Sequence, residues 1–130
     1  MNYFKIVNLN LIEIDEGQLF YFYNKKKLKF KINRFYFFKN IKFKTIRANH
    51  AHKKTKQIFV CLKGSVSFKL SNSKKVIKII KLKEQNKKIL FIIKPTWLEL
   101  FNFSKDCILL VLADRDFSKS DYIFKKSLIK

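Results

Sequence analysis

Glycine and proline are nearly missing from this chain: Gly17, Gly64 and Pro95 are the only ones among 130 residues. Two isolated glycines cannot build a glycine-rich loop around a phosphate, so that class of nucleotide site is excluded. Cysteine is equally scarce. Cys61 and Cys107 each sit in an apolar stretch with no C-x-x-C spacing, which excludes a disulfide framework and reads as two small core residues. The apolar runs ILFII (89–93) and CILLVLA (107–113) fall far short of the ~18–20 residues of a membrane helix and read as buried strands, so no membrane partner is expected. The first residues, MNYFKIVNLNLIEIDEG, lack the charged-then-apolar order of a signal peptide and turn acidic by Glu13, which reads as cytoplasmic.

Lysine is abundant. Lys and Arg number 30 against 9 Asp and Glu, for a formal charge of +21. Basic faces with interleaved aromatics are the footprint of nucleic-acid binders, and a basic single-strand-binding β-barrel is one competing reading. Yet Arg34, Arg47 and Arg115 are the only arginines, and base and phosphate recognition favours the arginine fork. The lysine excess runs with much Phe, Ile and Asn and little Ala, Gly and Pro. That pattern fits a general drift in residue usage on solvated positions, and no nucleic-acid partner is expected.

Apolar and polar residues alternate along most of the chain. In KLKFKI (27–32), Leu28, Phe30 and Ile32 share one face, and IKFKTI (41–46) repeats the pattern. Further strands are expected at QLFYFY (18–23), RFYFF (34–38), QIFVCLKG (57–64), SVSFKL (65–70), VIKIIKL (76–82), KILFII (88–93), WLELFNF (97–103) and CILLVLAD (107–114). The separators YNKKK, SNSKK and EQNKK have hairpin lengths, with Asn at turn positions, and imply sequential antiparallel pairing. Only the last dozen residues could carry a helical repeat. The length suits a single all-β domain over 1–130, a sandwich or barrel.

The two histidines of the chain, His50 and His52, stand two residues apart. On a strand they share a face, roughly 6.5–7 Å apart, while Ala51 points away. A metal site would need a third histidine and a carboxylate, but the chain has no third histidine and Gln57 is a neutral amide, so no metal and no cofactor are expected. The bland alternative is a pair of exposed histidines in a lysine-rich turn. Against it, Arg47, His50, His52, Lys53 and Gln57 make a dense polar cluster, and imidazoles titrating near neutrality suit proton abstraction and return. Arg or Tyr could hold an enolate oxygen beside them.

The order of these features resembles the cupin superfamily, whose first motif runs H-x-H, four residues, Glu, six residues, Gly. Here it stands as His50-x-His52, Gln57 and Gly64, with Leu98 and Leu100 near Pro95 where a further His might sit. Within cupins the chain resembles the WxcM-like sugar-nucleotide 3,4-ketoisomerases over most of its length. The family's R-G-x-H-A-H-K, Q and C-L-x-G-S appear as Arg47 to Lys53, Gln57 and Cys61 to Ser65, with Ala48 in place of Gly. The tail P-x-x-W, N-F-S-x-D-C-x-L-L-V-L-A and D-Y-I includes Pro95, Trp97, Asn102 to Ala113 and Asp121 to Ile123, and Arg34-Phe35-Tyr36 matches an upstream R-x-Y. The early D-x-R-G is half kept as Asp15-Glu16-Gly17-Gln18, without its Arg.

That resemblance implies a cupin-type antiparallel β-barrel or jelly roll. It implies dTDP-4-oxo-6-deoxyglucose as substrate, isomerised without metal to the 3-oxo sugar on the way to amino sugars of surface glycans such as lipopolysaccharide, by a homodimer with exchanged N-terminal strands. By transfer, His50 and His52 are the catalytic pair; Tyr36, Arg47, Arg34, Lys53, Gln57 and Trp97 are candidate substrate-binding residues. A sugar-nucleotide epimerase is a rival on the same fold, disfavoured because no His–Asp pair is evident in the sequence. A catalytically dead sugar-binding cupin is another.

Overall fold

The computed structural model describes residues 2–23 and 29–130, and in it the alternating pattern folds into twelve strands. These are β1 (Phe4–Asn8), β2 (Asn10–Ile14), β3 (Gly17–Tyr21), β4 (Arg34–Lys39), β5 (Arg47–His52), β6 (Gln57–Lys63), β7 (Ser65–Ser71), β8 (Val76–Lys83), β9 (Lys88–Ile92), β10 (Trp97–Phe101), β11 (Ile108–Ala113) and β12 (Tyr122–Ile123). One sheet runs β1-β9-β6-β11-β4 and the other β12-β5-β10-β7-β8, while β2 and β3 form a separate hairpin. The strand pairs are antiparallel. An all-β double sheet of cupin type is the expected fold class.

The two sheets share one core. Phe59 and Leu90 from the first meet Phe68, Leu70 and Leu100 from the second, all buried in a single cluster. Each such side chain contributes about 1.5–3 kcal/mol on leaving water. A second layer covers the back of the first sheet, where Phe30 meets Phe91 edge-on at 5.4 Å beside Ile58 and Ile89.

Several expectations need correction. Pairing is not sequential, since among these strands only β2–β3 and β7–β8 are neighbours in both sequence and sheet. SNSKK is a true hairpin, with Asn72 Oδ1 accepting the Lys74 and Lys75 N–H groups. EQNKK instead forms a 3-10 turn at Glu84–Asn86 and carries the chain from β8 to β9 in the opposite sheet. The third separator lies mostly outside the described residues, at 24–27. Residues 29–32 of KLKFKI are not a strand, because Phe30 is spent on covering the back of a sheet rather than on pairing. IKFKTI is not one either: Asn40 adopts a left-handed φ of 58° that ends β4, and the Thr45 N–H closes a turn on the Lys42 carbonyl. The last residues form short 3-10 turns at Lys119–Asp121 and Lys126–Leu128 rather than a longer helix.

Candidate active site

β5 approaches the site through an irregular backbone. Ala48 and Asn49 both sit in the left-handed region, with φ of 66° and 57°, and the register against β10 slips between Leu98 and Glu99. Asn tolerates that conformation; Ala pays about 1 kcal/mol for it. The bulge turns the Ala48 carbonyl toward His50, whose Nδ1 donates to it at 2.7 Å.

His50 and His52 share the face expected of them, and their Nε2 atoms lie 3.3 Å apart. His52 is buried, and its Nδ1 lies 3.0 Å from Asp121 Oδ2. Asp121 arrives 69 residues later in the chain. It is fixed by the Lys54 N–H on Oδ1 at 2.7 Å and by the Thr55 N–H and hydroxyl on Oδ2. Tyr122, paired with His52 across β12 and β5, packs its ring 4.5 Å from His50 and 4.6 Å from His52.

Burial pushes the His50 ring below its usual pKa, against the pull of the Ala48 carbonyl. Burial likewise lowers His52, to about 4, helped by the neighbouring His50 and opposed by Asp121. For Asp121, burial acts upward, but the donors from Thr55, Lys54 and His52 hold the carboxyl below the ordinary aspartate value. At neutral pH, therefore, the imidazoles are uncharged and Asp121 is ionised.

His50 opens onto a cavity of about 540 Å³. Tyr36 from β4 and Gln57 from β6 face it across the sandwich, and the Gln57 amide N–H donates to the Tyr36 oxygen at 2.9 Å. Burial raises the Tyr36 pKa, so its hydroxyl keeps a proton to offer. Arg34 and Arg47 also line the cavity, and among the described residues no lysine does. The Arg34 Nε donates to the Arg115 carbonyl at 3.0 Å, with its guanidinium 5.4 Å from the Tyr36 ring centre; the Arg47 guanidinium lies 5.7 Å from that of Phe38. Two of the chain's three arginines thus meet at one cavity while the described lysines stay off it.

Of the residues singled out from the sequence, Arg34, Tyr36, Arg47, His50 and Gln57 line this cavity, with His52 directly behind His50. Lys53 and Trp97 do not. Lys53 lines crevices on the outer side of Asp121 and β12. Trp97 points away from Leu98, which does line the cavity, and is buried with Ala51, Ile123 and Ile129. Sequence reasoning missed Asp121 and Tyr122 as site residues, although both fall in the D-Y-I tail. The expected lack of a His–Asp pair is wrong, because His52–Asp121 is one. Among the described residues, no three His, Cys, Asp or Glu side chains gather as metal ligands, and no helix is long and apolar enough to cross a membrane.

A double sheet that brings together two imidazoles, two guanidiniums and a phenol is of the cupin class, with side chains chemically able to move protons. The chain belongs to the WxcM-like, C-terminal (FdtA) family, whose model matches residues 2–128. It is 34% identical over 131 residues to the TDP-4-oxo-6-deoxy-alpha-D-glucose-3,4-oxoisomerase of Aneurinibacillus thermoaerophilus, covering 97% of this chain and 93% of that one. Among solved structures it is similar to QdtA, a sugar 3,4-ketoisomerase from Thermoanaerobacterium thermosaccharolyticum in complex with TDP, at 32% identity and a TM-score of 0.84 over 95% of this chain and 88% of that one. A dTDP-4-dehydrorhamnose 3,5-epimerase from Elizabethkingia anophelis shares the fold at 16% identity, with a TM-score of 0.76 over 92% of this chain and 73% of that one.

Proposed function

We propose that this protein is a 3,4-ketoisomerase that converts TDP-4-oxo-6-deoxyglucose to the TDP-3-oxo-6-deoxyhexose. The observation that carries this is the pair of facing imidazoles, His50 and His52, beside a cavity bearing Arg34, Arg47 and Tyr36, in a chain of a family that includes such enzymes. Moving the ketone from C4 to C3 breaks the C3–H bond and leaves its electron pair in an enediolate. A proton is then delivered to C4, while the O3 hydroxyl proton passes to O4. An uncharged imidazole at the cavity wall is a competent base for the first step and, once protonated, the acid for the second. The Tyr36 hydroxyl can stabilise the developing oxyanion, and the arginines are the natural partners of the diphosphate. These steps use side chains alone, and turnover is expected to survive chelation.

A cytoplasmic location goes with a soluble nucleotide-sugar substrate, and the product fits a route to amino sugars of surface glycans. The working unit is a homodimer with exchanged N-terminal strands. What supports this is the β2–β3 hairpin, a two-stranded unit too small to hold itself together, whose Ile12, Ile14 and Leu19 are 45–53% exposed. β4 offers a free sheet edge among the described residues, with Phe35 and Phe37 exposed.

Incubation with TDP-4-oxo-6-deoxyglucose, with and without EDTA, followed by NMR of the sugar tests the reaction and reads the C4 configuration. A 3-oxo product is expected. The His52–Asp121 pair keeps one rival in play, and deuterium entering C5 from D2O would mark epimerase chemistry instead. Unchanged substrate would reduce the protein to a sugar-binding cupin.

A further inference from the structure

The outer ends of the two imidazoles have fixed partners. A carbonyl oxygen only accepts, so the 2.7 Å contact to Ala48 puts a hydrogen on His50 Nδ1. The Asp121 carboxylate is already committed to three donors from Lys54 and Thr55, and the 3.0 Å contact puts a hydrogen on His52 Nδ1 as well. A neutral imidazole carries one hydrogen. Both Nε2 atoms are therefore bare, and they face each other at 3.3 Å.

We propose that His50 and His52 work as one base that takes a single proton between their Nε2 atoms, and that Asp121 is the positioning residue that sets this state by fixing the tautomer of His52. One proton turns two opposed lone pairs into an Nε2–H···Nε2 hydrogen bond. A second would have no acceptor and would meet a like charge. The charged and titratable groups around the pair enforce the same limit: Arg34 of β4 disfavours further positive charge on His52, Tyr36 keeps its proton, and the Tyr122 ring packs against both imidazoles. Asp121 supplies the compensating negative charge from outside the cavity, where it lines a separate crevice with Asp114 and Asp116.

This rests on the ketoisomerase reading and gives the proton a place to wait. The proton leaving C3 enters through His50, the ring on the cavity wall, whose Nε2 lone pair turns from His52 toward the substrate to take it and then turns back. It is shared with Nε2 of His52 while the enediolate rearranges, and it then leaves Nε2 to form the C4–H bond as O3 passes its hydroxyl proton to O4 and becomes the ketone oxygen. No proton is gained or lost overall.

Asp121→Asn tests the arrangement. The Lys54 N–H at 2.7 Å is a closer backbone donor than the Thr55 N–H at 3.3 Å and holds the amide oxygen on its arm, so the NH2 falls on the arm facing His52 and the Thr55 hydroxyl, which can turn to accept. His52 must then accept at Nδ1 and carry its hydrogen on Nε2, where it donates to His50 and blocks the shared site. Expected is a kcat ~10²–10³-fold lower, with KM within about threefold because Asp121 does not line the cavity. In 15N NMR of the full-length wild type near pH 7.5, both histidines should be Nδ1–H tautomers, and the pair should take up one proton before pH 5; in Asp121→Asn, His52 should switch to Nε2–H. Wild-type His52 found as the Nε2–H tautomer, two protons taken up above pH 5, or a folded Asp121→Asn with kcat within threefold would each overturn the proposal. The wild-type spectra decide even if the variant does not fold. They also need no substrate: tautomers as stated in a protein without turnover would refute the reaction and leave the proton arrangement standing.

Discussion

His52 and Gln57 are buried polar residues with hydrogen-bond partners, whereas Ile12, Ile14, Leu19 and Phe20 of the β2–β3 hairpin are apolar residues left 41–53% exposed. The two regions invert the usual placement of polar and apolar side chains, for different reasons. Burying a polar group costs free energy unless it is bonded, and around the histidines the bonds come from backbone carbonyls, Asp121 and Tyr36. Exposing an apolar face is costly until something covers it; Phe20 has the Lys87 ammonium over its ring, while Ile12, Ile14 and Leu19 stay 45–53% exposed. The polar site thus finds its partners within this fold, whereas the hairpin is the part for which the proposed second copy would supply a cover.

The sharpest way to separate the two regions is His50→Asn, which keeps polarity and approximate size but removes the base. Turnover should fall by ~10²–10⁴-fold with melting temperature and molecular mass unchanged. Near-normal turnover in a folded variant would remove His50 from the chemistry. The reverse experiment is Ile12→Asp with Leu19→Asp, a directly opposed pair on the outer face of the hairpin. Light scattering should then read a monomer of 15.7 kDa where the wild type reads twice that mass. A monomeric wild type would end the dimer reading.

Acid should act on the site region first. His52 is held near 4 when folded but titrates near 6.5 when unfolded, so the unfolded chain binds more protons between those values. Stability is then full above about pH 6.5 and is lost as pH falls toward 4, by up to about 3 kcal/mol. Thermal melts across this window check it, and His52→Asn should flatten the slope. Asp121 adds a further loss only at still lower pH, as it falls through its depressed folded value. The smallest effect expected is from Ala48→Gly: relief of a left-handed alanine should raise stability by about 1 kcal/mol, seen in denaturant unfolding. A loss would mean that the Ala48 methyl group matters more to the cavity wall than its backbone strain.

Much of this was legible in residue order. Period-two alternation located the central strands, and the H-x-H spacing placed both imidazoles on one face. Pairing order was not legible, because β6, β9 and β11 become neighbours through contacts dozens of residues apart that alternation does not encode. The same alternation misled at KLKFKI, where Phe30 makes a lid over Phe91 in place of a ladder. Asp121 was hidden for a related reason. It lies in a lysine-rich tail with no periodic pattern, and its meaning comes only from β12 pairing with β5 beside His52. Trp97 failed as a ligand because alternation along β10 sends Leu98 to the cavity and Trp97 to the opposite side.

That misplaced tryptophan has an optical consequence. It is the only one in the chain, and it is packed against Ile123 and Ile129, with the Lys126 ammonium 5.8 Å from its ring centre. These three residues belong to the same C-terminal segment that delivers Asp121 and Tyr122 to the histidines. Intrinsic fluorescence from Trp97 therefore watches one stretch of chain: lifting the tail would wet the indole and red-shift its emission at the moment the histidines lose their carboxylate.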